Sequence, residues 1–268
     1  MQTSTRVFVL ALLAGAAAIL PAQSADPVPA TAGLAPGPGR ALVPFATGER
    51  LTYDVKFGPL KAGTGYMEVI GLETVRGREA WHTVFHVQGG VPFYRVDDLL
   101  ESWFDTRTLA SLRHLQATHE GRRDRRREFE IFPERGVYTE PERPERPTVR
   151  DPLDDGSFLY FFRTLPISVG QTYEFNRYFR PDRNPVVIRV LRKERVTVPA
   201  GTFNTIVIQP VIKSGGVFAE GGEAQLWVTD DDRRLLVQMK TRLAFGSINL
   251  YLTSYRPGVP DLAAATGR

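Results

Sequence analysis

The chain contains no cysteine among its 268 residues. This absence excludes a disulfide framework, thiolate chemistry and a lipid attached to an N-terminal cysteine. A protein of this length without disulfides depends on its hydrophobic core for stability. The hydrophobic content of 42% is ordinary for a globular protein. We therefore expect one full-sized core.

Motifs for nucleophilic catalysis, phosphate binding and metal binding are also missing. The sequence has no Gly-x-Ser-x-Gly and no phosphate loop. His82 and His86 share one face of a predicted strand about 13 Å apart, which is too far for one zinc ion to bridge. His114 and His119 lie on another predicted strand without ligand spacing. We predict no metal and no cofactor, and a net charge of +4 is too small to favour nucleic acid as a partner.

The longest apolar run, from Val7 to Leu20, is too short to span a bilayer as a helix. It follows Arg6 and precedes small residues, which is the layout of a secretory signal peptide. We predict a signal peptide over 1–25 and a periplasmic or secreted protein. After cleavage it would be close to the membrane but would not span it.

The segments next to the termini are rich in proline, alanine and glycine. We predict a disordered leader over 26–40 and a disordered tail over 257–268. The remainder, 41–256, is predicted to form a single β-barrel-like domain. Its oligomeric state is not predicted by any pattern in the sequence.

Alternation of apolar and polar residues is the dominant pattern in this domain. Leu51, Tyr53, Val55 and Phe57 alternate with polar residues, which predicts a strand with one buried face. Similar segments recur as far as Ser254, with a predicted break at Gly89-Gly90. A long proline-rich surface loop is predicted over 133–152, with at most a brief strand at Gly136-Val137-Tyr138. About a dozen strands in meander order predict a mainly β fold, a single highly curved antiparallel sheet or barrel.

One stretch, 154–165, has helical periodicity instead. Its apolar stripe is Phe158, Phe161, Phe162 and Leu165. Asp154 or Asp155 would cap the start, and Pro166 would end the helix. Three phenylalanines on one face require a large apolar surface, so we expect one short helix packed across the sheet.

Several short motifs occur in a characteristic order. They are Gly48-Glu49-Arg50-Leu51-x-Tyr53 with Gly63, Asp97 with Glu101-Ser102 and Phe104-Asp105, Asp155-Gly156-Ser157, Tyr160-Phe161-x-Arg163-x-Leu165-Pro166, Gly170, Gly201-Thr202-Phe203 and Leu226-Trp227-Val228-Thr229-Asp230-Asp231. The order resembles the bacterial envelope family called domain of unknown function 3108, from about Gly48 to Leu252. The resemblance implies a secreted or periplasmic β-rich domain similar to the half-barrel carriers of lipoproteins. It implies no catalytic residue.

Aromatic residues on both the sheet and the helix suggest a ligand site, because a curved sheet crossed by a helix encloses a concave apolar volume. The alternative is a packed core. The predicted ligand contacts are Phe85, Phe93, Tyr94, Trp103, Phe158, Phe161, Phe162 and Trp227. We predict a non-catalytic protein that binds a hydrophobic or amphipathic envelope molecule, such as a lipid or an acylated protein.

Two other functions are compatible with the sequence. Glu101 and Asp155 could form the acid and base of a hydrolase that acts on envelope glycan. In the alternative interpretation Asp155 caps the helix and Glu101 pairs with an arginine such as Arg163. The loop over 133–152 suggests instead a non-catalytic partner in envelope assembly.

A basic run comprises Arg122, Arg123, Arg125, Arg126 and Arg127. It could contact an anionic glycan, a lipid head group or phosphate. Interspersed acidic residues dilute its charge, and strand alternation divides the arginines between two faces. The alternative is therefore a solvated hairpin.

Overall fold

The computed structural model describes residues 28–29, 39–91, 94–212, 224–243 and 246–259. The predicted signal peptide and Phe93 lie outside these ranges. The described elements are β1 (Val28–Pro29), β2 (Arg50–Phe57), β3 (Leu60–Val75), β4 (Arg78–Val91), β5 (Tyr94–Asp105), β6 (Ser111–Glu120), β7 (Arg123–Phe132), β8 (Val137–Thr139), β9 (Arg146–Pro147), α1 (Asp155–Phe162), β10 (Thr172–Phe175), a 3₁₀ turn (Pro181–Arg183), β11 (Val186–Val198), β12 (Gly201–Ile212), β13 (Gln225–Thr229), β14 (Leu236–Leu243) and β15 (Gly246–Arg256).

These strands form one sheet in the order β1-β10-β11-β12-β13-β14-β15-β2-β3-β4-β5-β6-β7-β8-β9. β1 pairs with β10 in parallel, and the other neighbours are antiparallel. Two meanders, β2 to β9 and β10 to β15, are joined where β15 pairs with β2. The predicted mainly β fold with a single curved antiparallel sheet and one short helix is confirmed.

The two sides of the sheet approach each other beside the helix. The backbone of Leu153 donates to the carbonyl of Arg177 (2.6 Å) and accepts from Phe179 (2.9 Å). Phe179 then packs on Phe129 of β7, with ring centroids 5.0 Å apart. Because β7 and β10 lie near opposite ends of the strand order, these contacts make the sheet barrel-like.

The predicted break at Gly89-Gly90 was wrong. Gly89-Gly90 does not break the chain, since β4 continues through it to Val91. A Cβ atom on Gly63 would lie 2.1 Å from the carbonyl oxygen of Gln88, so β3 and β4 approach more closely than a side chain permits. In the loop over 133–152, β8 lies where a brief strand was predicted, and the two-residue strand β9 was not predicted.

Helix α1 is shorter than predicted, although turn-type backbone hydrogen bonds continue as far as Leu165. Asp154 is its N-cap, and Ser157 completes a capping box with it. Phe158, which belongs to the predicted apolar stripe, is only partly buried. Tyr160, which does not belong to it, is 2% exposed. Tyr160 is buried because the helix is embedded on a second side, where the rings of Phe45 and Tyr160 lie 5.0 Å apart.

We call the face of the sheet that carries α1 the inner face and the opposite one the outer face. The main core lies on the inner face around α1 and includes Trp81 and Phe104. Phe45 packs against both rings, so the segment before β2 is part of the core. Of the predicted leader, 26–40, the structure describes residues 28–29 and 39–40. Val28–Pro29 forms β1, and Arg40 donates twice to Glu79, each at 2.6 Å.

Candidate functional site

The N-terminus of α1 contacts a buried polar cluster on β5 and β6. The Asp154 carboxylate is fully buried and accepts hydrogen bonds from the hydroxyls of Ser102 (2.6 Å) and Ser111 (2.7 Å). It also accepts from the backbone N–H groups of Gly156 (2.8 Å) and Ser157 (2.9 Å). A Cβ atom on Gly156 would lie 2.3 Å from Ser102 Oγ, so only glycine permits this close approach. The cluster therefore fixes the helix to the sheet.

His114 lies between the two aspartates at this helix end. Its Nδ1 is 2.8 Å from the carbonyl oxygen of Glu101 and 3.5 Å from Asp154, and its Nε2 is 3.5 Å from Asp155. Burial disfavours the imidazolium, but the negative charges of Asp154 and Asp155 outweigh this effect and raise the pKa of His114. Burial likewise disfavours the Asp155 carboxylate, yet the hydrogen bond and charge of His114 lower its pKa. Tyr178 also donates to Asp155 at 3.1 Å.

This arrangement predicts a decrease in stability at alkaline pH. Because the folded-state pKa of His114 is raised, its contribution is complete below its ordinary pKa of 6.5 and is lost as pH rises through the folded value. The contribution of Asp155 has the opposite pH dependence. It is present above the ordinary aspartate pKa of 3.8 and is lost only when the pH falls through the lowered folded-state pKa. We expect His114→Gln to remove this part of the alkaline decrease. Urea unfolding at about pH 6 and about pH 9 measures the unfolding free energy of both proteins. An equal decrease between these two pH values in the wild type and the variant would contradict the prediction.

The other end of α1 is held by a buried ion pair. Arg163, the C-cap residue, donates from Nη1 to Glu49 Oε1 (2.5 Å) and from Nη2 to Oε2 (3.0 Å). The two side chains are 4% and 2% exposed. Arg163 Nε also donates to the carbonyl of Arg233 at 2.9 Å. Sequence reasoning missed this pair because Glu49 and Arg163 are 114 positions apart; the only signal was that both belong to the motifs of the resemblance.

The two carboxylates of the hydrolase hypothesis do not share a cleft. Glu101 lies on the outer face and contacts His82 Nε2 at 2.8 Å. Asp155 lies on the inner face, where Gln116 donates to it at 2.8 Å. The alternative interpretation was wrong in its details, since Asp154 rather than Asp155 caps the helix and Arg163 pairs with Glu49 rather than Glu101.

The predicted ligand-contacting aromatics are divided between the faces. On the inner face, Phe161 and Phe162 are buried in the core, whereas Phe85 and Phe158 are partly buried. On the outer face, Trp103 stacks on His82 (4.3 Å), and Trp227 lies under Arg192 and Lys240. Phe93 and the Tyr94 side chain lie outside the described residues. As ligand contacts these positions stay predictions.

Beyond the N-terminus of α1, the polarity of the inner-face side chains changes across four adjacent strands, β4 to β7. β4 and β5 present Phe85, Val87, Val96 and Leu100 there, with Asp98 among them. Next to them β6 presents Gln116 and Thr118, which are paired in register with Arg127 and Arg125 of β7. The lining therefore passes from apolar through polar to basic.

A separate surface groove of about 570 Å³ is lined by Gly39, Arg40, Gly77, Arg78, Glu79, Asp105, Thr106, Arg107 and Thr108. Its charges are largely paired, for example Arg78 with Asp105 at 2.8 Å. Within the described ranges no group of three or more potential ligands is placed to hold a metal ion. No helix in that part of the chain has the length and hydrophobicity needed to cross a membrane.

Comparisons with known proteins identify a family and a fold. The profile described as "Protein of unknown function (DUF3108)" matches residues 52–253. A comparison with curated proteins finds no match. The β-barrel-like DUF1849 protein from Brucella abortus superimposes with a TM-score of 0.50 at 10% identity, covering 81% of this chain and 100% of that one.

Two further solved structures align with lower scores. A candidate lipoprotein from Parabacteroides distasonis has a TM-score of 0.31 at 10% identity, covering 80% of this chain and 98% of its own. A candidate exported protein with a YmcC-like fold from Bacteroides fragilis has a TM-score of 0.30 at 12% identity, covering 81% and 100%. At these identities the Brucella structure supports the fold alone.

Proposed function

Since the chain belongs to the family described as Protein of unknown function (DUF3108), whose description gives no activity, we propose a function from the geometry. The protein is an exported, non-catalytic component of the bacterial envelope that binds an amphipathic molecule, a lipid or an acylated protein, on the inner face of its barrel-like sheet. The signal-peptide pattern supports export. The outer-face position of Glu101 favours binding over carboxylate catalysis.

The observation that carries this proposal is the mixed lining beyond α1. An amphipathic molecule needs an apolar surface for its tail and polar or charged groups for its head, on one continuous face. On β4 and β5 the apolar residue with exposed area is Phe85, since Val87, Val96 and Leu100 are at most 7% exposed. The polar and basic groups lie on β6 and β7, across neighbouring strands about 4.8 Å apart. Phe85 is paired in register with Leu100 and is only partly buried, so its ring is available to a tail.

Native mass spectrometry of the mature protein purified from its own periplasm tests this function. We expect an adduct of defined mass that denaturing extraction releases as a lipid or acylated species. Phe85→Asp should reduce the adduct several-fold, because a carboxylate is costly in an apolar contact. Ile70→Asp is the matched control, since Ile70 is 45% exposed on the same sheet.

The proposal fails if the wild-type protein shows only its own mass both as purified and after incubation with a total lipid extract of its envelope. Equal loss of the adduct in the Phe85 and Ile70 variants would also contradict it, because the loss would then not depend on the inner face.

A further inference from the structure

The inner face of β7 carries arginines that have no role in the packing described above. Arg123 and Arg125 are exposed and alternate with Asp124 and Arg126, which point to the outer face. Within the part of the chain that the structure describes, no acidic side chain forms an ion pair with either of them. Two same-face positions on a strand are roughly 6.8 Å apart, so two long guanidinium side chains can converge on one anion.

Neighbouring residues define the limits of this basic pair. The next inner-face residue, Arg127, donates to Glu140 at 2.8 Å and lies 4.6 Å from the Phe129 ring centre, so its charge is already paired. Thr118 is in register with Arg125 and can donate a further hydrogen bond. The buried Asp98 is in register with Thr118, and the backbone of Glu120 is in register with Arg123.

We propose that Arg123 and Arg125 form the subsite that holds the anionic head group of the amphipathic ligand, a phosphate ester. This inference rests on the proposed function and specifies its ligand. Guanidinium groups bind phosphate oxygens through paired, charge-assisted hydrogen bonds, and Thr118 adds a neutral donor. The apolar residues of β4 and β5 are two and three strands away, within the reach of a lipid whose head lies on β7.

Two binding experiments test the site. Vesicle flotation measures binding to phosphatidylcholine vesicles with and without phosphatidylglycerol, and calorimetry measures binding of soluble glycerol 3-phosphate. The test variant is R123Q/R125Q and the matched control is R122Q/R126Q. Both remove two positive charges from the same hairpin, but only the first removes the inner-face pair. We expect R123Q/R125Q to lose at least about tenfold in affinity for phosphatidylglycerol vesicles and the control to lose less than about threefold.

Binding of vesicles but not of glycerol 3-phosphate, lost in R123Q/R125Q alone, would identify a lipid-borne phosphate. Binding of both, lost in the same variant, would support a site for phosphate from either source. Equal losses in the two variants would overturn the site, because attraction would then follow net charge. A native adduct retained by R123Q/R125Q would overturn the anionic subsite and leave the proposed function standing, whereas absence of any wild-type adduct would refute both.

Discussion

Arg163→Met is expected to lower the free energy of unfolding by about 3–5 kcal/mol. The substitution removes one member of an ion pair in which Glu49 is only 2% exposed. The remaining carboxylate would be buried without its partner, and a stranded charge costs more than the pair contributed. The carbonyl oxygen of Arg233 would also lose its donor. The effect is expected to be large because both charges lie where α1 ends against the sheet.

Urea unfolding followed by tryptophan fluorescence measures this change. Arg126→Met is the control, since it breaks an exposed pair with Glu128 (2.7 Å) and should cost less than about 1 kcal/mol. The double variant E49L/R163M should recover part of the loss, because it leaves no unpaired charge. A loss in R163M no larger than in R126M would show that the pair is not important for stability.

The sequence predicts local structure well wherever the spacing of apolar residues along the chain matches the period of a strand or a helix. Leu51, Tyr53 and Val55 are buried on β2 as their alternation requires. Asp154 was recognised as a potential cap because its type and its position before an apolar stripe are characteristic of helix starts. These features depend on residues within a few positions of each other, so no knowledge of the tertiary fold is needed.

Contacts between distant segments could not be predicted in this way. Ser102 and Ser111 have the appearance of ordinary strand serines, and only the register of β5 and β6 brings them to Asp154. Gly89 was interpreted as part of a break in the chain. Glycine also permits two strands to approach closely, and the sequence does not distinguish these two uses. The faces occupied by Glu101 and Asp155 likewise depend on how the helix lies against the sheet.

Asp154→Ala is expected to cost about 3–5 kcal/mol of unfolding free energy. About 1 kcal/mol of this comes from the lost N-cap, because the backbone N–H groups of Gly156 and Ser157 lose their acceptor. The remainder comes from the hydroxyls of Ser102 and Ser111, which are at most 1% exposed and would be left without the carboxylate.

Asp154→Asn separates hydrogen bonding from charge at this position. Asparagine is as good an N-cap as aspartate and can still accept from the helix, so we expect a smaller loss, about 1–2 kcal/mol. The same variant removes one of the two carboxylates that raise the pKa of His114. The alkaline decrease in stability should therefore be smaller in D154N and be complete at lower pH than in the wild type. Urea unfolding across a pH series measures both effects. Equal losses in D154A and D154N would mean that the negative charge, and not the capping geometry, holds α1 against β5 and β6.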